Sequence, residues 1–224
     1  MPRDAVEVMA IGEVLADFVP EGGSYVLRPG GAPANVAVNL SRAGVRAGIT
    51  GKIGADFLGG FLKAFLEKNR VNVKYLTAAK GRKNGLVFVF LDKDGERDFT
   101  FYGHPSADRF LSARDIPAAE IKKCRILHFG SISMMAPLSR VAVLNAVNIA
   151  KRVGRIVSYD PNVRLNLWEG RHNQARASIK RWFKYADIIK LSDSELRFLF
   201  NARPQKEALA KICLLYTSDA ADKR

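Results

Sequence analysis

The sequence predicts an α/β fold: a mostly parallel central sheet with helices on both faces, plus a small separate sheet. Three observations lead there. Short apolar runs alternate with helical stretches along most of the chain. One segment, residues 85–102, breaks that order with a hairpin pattern around Asp94-Gly95. The 224 residues are 48% hydrophobic and hold no low-complexity linker, which suits one large domain with a sizeable core rather than a disordered chain.

In chain order, Val6–Ile11 and Val14–Val19 read as short strands, with Pro20 to Gly23 turning the chain. Ala34–Ala43 carries small and apolar residues at helical spacing, and Ala47–Thr50 is a brief strand. In Phe57–Lys68 the apolar positions 57, 58, 61, 62, 65 and 66 fall three and four apart, the mark of a helix. Gly85–Leu91 and Arg97–Tyr102 are the arms of the hairpin. Ser112 is placed to cap a short helix running to Lys122. The alternation then resumes, with strand Ile126–Phe129, helix Leu138–Val153 stopped by Gly154, strand Ile156–Tyr159 and helix Gln174–Tyr185. Strand Ile188–Leu191 and a helix from Asp193 to Phe200 follow.

The net charge of +14 raises nucleic acid or a membrane surface as partners. The basic residues are scattered, however, as at Lys63, Lys68, Arg70, Lys74 and Lys80, without a basic amphipathic run. A solvated basic surface that steers an anionic small molecule is the simpler expectation, with no nucleic-acid or membrane partner. The apolar run at the N-terminus is too short for a signal-peptide core or a membrane span. Two cysteines, Cys124 and Cys213, give neither a disulfide framework nor a metal set, so a cytoplasmic protein is expected.

The most informative stretch is Pro29-Gly30-Gly31-Ala32-Pro33-Ala34-Asn35-Val36-Ala37. Adjacent glycines allow close backbone approach, and Pro33 suits the first turn of a helix. Asn35 then brings an amide that both donates and accepts, as a polyhydroxylated ligand requires. A tight turn entering a helix would read the same way.

That stretch, with Gly44 and Gly51-Lys-Ile-Gly-Ala-Asp56, resembles the N-terminal signature of the ribokinase-like (PfkB) carbohydrate kinases. Gly12-Glu13-Val14-Leu15-Ala16-Asp17-Phe18 resembles that family's first-strand motif. Asp94 to Arg97 with Phe99 to Asp108, His128 to Ser133 and Ser158 to Arg164 resemble fructokinases in particular. The resemblance runs from about residue 6 to 205. It implies a ribokinase-like three-layer α/β/α sandwich, whose lid would comprise segments 14–28 and 85–102 and through which two chains can pair. It also implies sugar contacts at Asp17, Gly30, Gly31, Asn35 and Tyr102. One departure stands out: fructokinases carry arginine after Phe-Tyr, where this chain has Gly103-His104, so the exact sugar stays open.

On the phosphate side there is no P-loop. By resemblance, Arg164 and Lys190 lie near the nucleotide phosphates, and Glu195 acts indirectly through Mg2+ and its waters. A surface cation and a first-turn acid complementing a helix dipole are the plain readings of Arg164 and Glu195. The family's catalytic aspartate follows a Gly-Ala-Gly-Asp motif that does not occur in these 224 residues. The resemblance fades near Ile212, and Cys213 to Asp222 resembles a translated sequencing adapter. The expectation is a partial kinase domain over residues 1–212 followed by a non-native tail, 213–224, and therefore no activity of its own.

The reading as a whole is ATP-dependent phosphorylation of a sugar hydroxyl, fructose to fructose 6-phosphate, by the parent protein. A kinase for another sugar or a nucleoside, and a non-catalytic sugar-binding module, are the alternatives.

Overall fold

A computed structural model describes residues 5–91, 97–103 and 105–201. The Asp94-Gly95 turn, His104 and the tail from Cys213 lie outside the described residues.

Among the described residues there are six α-helices and ten strands, the strands forming two sheets of unequal size. The larger, sheet A, is parallel throughout. It contains β1 (Val8–Ile11), β4 (Ala47–Gly54), β5 (Asn72–Ala79), β8 (Ile126–Gly130), β9 (Ile156–Asp160) and β10 (Ile188–Ile189), in the order β10-β9-β8-β1-β4-β5. Alternation along β1 distributes its side chains to two cores. Met9 and Ile11 join the cluster formed with α4 (Pro137–Arg152), α5 (His172–Arg181) and α6 (Asp193–Phe200). Ala10 joins the opposite cluster under α1 (Ala32–Arg42) and α2 (Phe57–Lys68). The result is the expected three-layer sandwich. Met9, Ile11, Leu127 and Phe129 are fully buried, each contributing roughly 1.5–3 kcal/mol on burial. A short α3 (Ala118–Lys123) completes the set.

Sheet B is the small one, in the order β3-β2-β6-β7, from β2 (Leu15–Glu21), β3 (Ser24–Gly30), β6 (Leu86–Leu91) and β7 (Arg97–Tyr102). It draws its strands from two separate stretches of the chain, 15–30 and 86–102. β2 pairs antiparallel with β3 and parallel with β6, while β6 and β7 form the hairpin. Pro20 stays inside β2, beyond the Ala16–Phe18 stretch that bonds to β6, where its missing N–H costs no bond to that neighbour. Two side chains anchor the hairpin to sheet A. Asp56 caps α2 by accepting from the Gly59 N–H at 2.9 Å, and it takes a second bond from the Asn84 amide at 2.7 Å. Asn84 in turn accepts from the Gly54 N–H.

The structure departs from the sequence reading in places. Ser112 caps a 3-10 turn, Ala113–Asp115, with its hydroxyl on Asp115, and α3 starts only after Pro117. Strands β3 and β5 are present though unannounced. β5 lies at the edge of the sheet, and its exposure follows no clean period. The stretch 174–185 ends its α-helix at Arg181 and continues as a 3-10 turn, Phe183–Tyr185.

Candidate functional site

In open parallel sheets, ligands bind outside the carboxyl ends of the strands. Here sheet B stands over those ends and closes a cleft of about 240 Å³. Its walls include Asp17, Gly31, Asn35, Phe99, Phe101 and Arg164. A larger cavity of about 700 Å³ adjoins it, sharing Leu15, Phe99, Phe101 and Ile132.

Asp17 sits mid-strand on β2, paired with Arg28 on one side and Val87 on the other. Burial pushes its carboxyl up to about 6, against the pull of the Arg164 guanidinium. Its Oδ1 is buried with no hydrogen-bond partner among the described residues. A buried carboxylate oxygen without a donor is costly, and a ligand hydroxyl would remove that cost.

The two motif glycines serve this arrangement. A methyl group on Gly30 would overlap the Asp17 carboxylate. Gly31 has φ 99, and a Cβ there would run into the Glu13 carbonyl, so both backbone angle and space demand glycine. Asn35 lies on the exposed side of the first turns of α1, and its N–H is bonded to the Gly31 carbonyl at 2.9 Å.

Arg164 follows β9 and the left-handed Asn162 (φ 45). Its guanidinium lies 4.5 Å above the Phe99 ring and donates to the Val163 carbonyl. Burial lowers its affinity for a proton, opposed by Glu195, Glu13, Asp160 and Asp17. The arginine assigned from sequence to the phosphates therefore shares a cleft with the residues assigned to the sugar.

Three other expected residues stand elsewhere. Tyr102 is 52% exposed and packs edge-on against Phe88, on the face of sheet B opposite Phe101 and the cleft. Lys190 is exposed and paired with Asp160 at 3.1 Å. Glu195 is buried and engaged by backbone: Oε1 accepts from the Val163 N–H and Oε2 from the Ser192 N–H and hydroxyl. It forms a capping box for α6. Among the described residues, no three His, Cys, Asp or Glu side chains gather into a metal-sized group.

Sequence reasoning missed Phe99 and Phe101 as cleft walls. Period-two alternation on β7, read together with the register to β6, is the signal that places both on the side of Asp17.

The α/β sandwich and its covering sheet thus enclose a cleft lined by an acid, an amide and a shielded arginine. The chain belongs to the pfkB family of carbohydrate kinases, whose model matches residues 4–215. It is 44% identical to fructokinase-1 of Zea mays over 200 residues, covering 86% of this chain and 62% of the relative. Fructokinase from Vibrio cholerae O395, solved with fructose, ADP and calcium, superposes with a TM-score of 0.84. That match has 35% identity and covers 94% of this chain and 68% of the other. Fructokinase from Xylella fastidiosa with bound ATP gives 0.83 at 32% identity, covering 94% and 65%. The chain spans about six tenths of the length of the curated relatives it matches.

Proposed function

We propose that the protein is the sugar-binding part of an ATP-dependent fructokinase, transferring phosphate to fructose to give fructose 6-phosphate. The observation that carries this is the Asp17 carboxylate. It is buried, lacks a partner at Oδ1 and faces Asn35 and Arg164 across a cleft sized for a monosaccharide. Likeness to fructokinases solved with fructose and with ATP supports the choice of both substrates.

In this reading Asp17 and Asn35 orient the sugar hydroxyls, while Phe99 and Phe101 keep water from the transferred group. Arg164, held by Phe99 and the Val163 carbonyl, offsets charge developing on the phosphoryl oxygens. Magnesium would neutralise phosphate charge. Asp160 and Glu195 supply the hard oxygen donors it prefers, and because backbone donors already engage Glu195, they fit contact through the ion's waters. The catalytic base is placed on a Gly-Ala-Gly-Asp segment, absent from these 224 residues. The aromatic outer face of sheet B, with Phe18 stacked on Phe88 at 4.8 Å and Tyr25, Phe90 and Tyr102 exposed, supports pairing of two copies through this sheet. A cytoplasmic setting completes the proposal. No helix among the described residues is long and apolar enough to cross a membrane.

The test is a substrate panel. Fructose, glucose, ribose and a purine nucleoside are offered with ATP and magnesium to the protein expressed from a reading frame that includes a Gly-Ala-Gly-Asp segment. Fructose is expected to lead, and phosphorylation of the nucleoside alone overturns the assignment. The 224-residue chain is expected to bind fructose without turning it over.

A further inference from the structure

We infer that Glu13 is a positioning residue for sugar capture: its buried carboxyl clamps the turn that carries Ser133, and its main chain backs the wall made by Gly31 at the start of α1. The inference rests on the sugar-kinase reading above.

Glu13 lies in the link between β1 and β2 and is 1% exposed. Its Oε2 accepts from the Ser133 hydroxyl at 2.6 Å, a bond between residues 120 apart in sequence. Its main chain is held as closely. The Glu13 carbonyl occupies the place a side chain on Gly31 would take, and the Gly12 carbonyl occupies the place of one on Gly51. A side chain on Gly12 would collide with Ser133 Oγ and Pro33. Three glycines of the signature therefore make room for the Gly12-Glu13 peptide and its bond to Ser133. Ser133 itself is fixed by its own carbonyl, which accepts from the Ser139 hydroxyl at 2.7 Å at the start of α4. Glu13 thus connects the glycine wall through its main chain to the Ser133 turn through its carboxyl and, through that turn, to α4.

The charge environment makes the clamp responsive to protons. Burial pushes the Glu13 carboxyl up to about 7, with Asp108 repelling the charged form, while the Ser133 hydroxyl and the Glu13 and Ala32 amides favour it. Arg164, across the cleft, also senses the Glu13 charge. Asp17 on β2 titrates nearby, at about 6. Burial outweighs the bonds that favour the charged form, so ionising Glu13 costs the packed wall stability as pH rises through about 7, and the wall is held most firmly below neutrality.

The experiment measures fructose affinity by calorimetry from pH 5.5 to 8.5, and hydrogen exchange of the backbone amides at 31–35 without ligand, in wild type, Glu13→Gln and Glu13→Ala. Two steps are expected in the wild-type affinity, a rise as pH climbs through about 6 and a fall as it climbs through about 7. Glu13→Gln should keep only the step near pH 6, with affinity at pH 8 about threefold to tenfold above wild type. Glu13→Ala should lose tenfold or more at every pH and exchange faster at 31–35. If Glu13→Ala does not fold, the pH profile of Glu13→Gln decides alone. A Glu13→Gln profile identical to wild type, with unchanged exchange at 31–35, overturns the clamp. If wild type fails to bind fructose yet exchange at 31–35 responds to pH and to Glu13→Gln, the clamp stands and the substrate assignment falls.

Discussion

Asp17 and Glu195 are both carboxylates inside the same sandwich, yet they are spent differently. Glu195 gives its oxygens to three donors of its own chain and thereby fixes α6 and the Val163 backbone. Asp17 keeps a buried oxygen without a donor, in a cleft wide enough for a sugar. Proteins rarely leave such groups unpaired unless something else completes them. The lesson is that proximity to a site does not identify a ligand-binding acid. What marks Asp17 out is hydrogen-bonding capacity left over after folding, combined with a place in the cleft wall that Glu13, also left with an unpartnered oxygen, does not have.

The sharpest way to break this comparison is Asp17→Asn. Losing charge-assisted bonds to hydroxyls should weaken fructose binding by about 100-fold, on the order of 3 kcal/mol, with little change in melting temperature. Calorimetry and thermal melting on one preparation check both halves. Acid should mimic the substitution. Because burial raises the Asp17 carboxyl to about 6, the accepting form is lost as pH falls through 6, and affinity should drop there, separately from the Glu13 step near 7. The same upward shift means that ionising Asp17 costs the free fold stability above pH 6. That cost fades as pH falls from 6 and is gone below the ordinary carboxylate range. Affinity that stays constant from pH 5 to 8 would sink the assignment.

Arg164→Lys should come next. It removes the planar contact with Phe99 and should weaken binding roughly tenfold, since an ammonium cannot reproduce a stacked guanidinium. Glu195→Ala should invert the pattern seen for Asp17. Sugar affinity should move less than threefold, while loss of the capping box and of the bond from Val163 lowers stability by about 2 kcal/mol, some 4–8 °C in melting temperature. Lys190→Ala should do least. Its exposed pair with Asp160 is worth under about 1 kcal/mol, so neither fructose affinity nor melting should shift measurably.

The sequence showed the sandwich and the small second sheet because periodicity is strong in α1, α2, α4 and the hairpin arms. β5 escaped because it is an edge strand with irregular exposure, and β3 because its residues alternate only weakly between faces. Of the site, Asp17, Gly31, Asn35 and Arg164 were legible through the family pattern, and the structure brings them to one cleft. Tyr102 was misplaced because a one-residue step along a strand reverses the face, and only the register to β6 shows which face is inward. Glu13 stayed invisible for a different reason. A bond to a residue 120 positions away has no local signature.

The short link from Gly12 to Val14 joins a strand of sheet A directly to a strand of sheet B, and Asp17 lies three residues past it. That geometry makes β2 a lever. At about 3.3 Å per residue, Asp17 rides roughly 10 Å out on the arm. A rotation of sheet B by about 10° then carries the carboxylate nearly 2 Å, more than a hydrogen bond tolerates. In the proposed reading, grip on the sugar and tilt of the covering sheet are thus one mechanical variable, with the fulcrum at Val14.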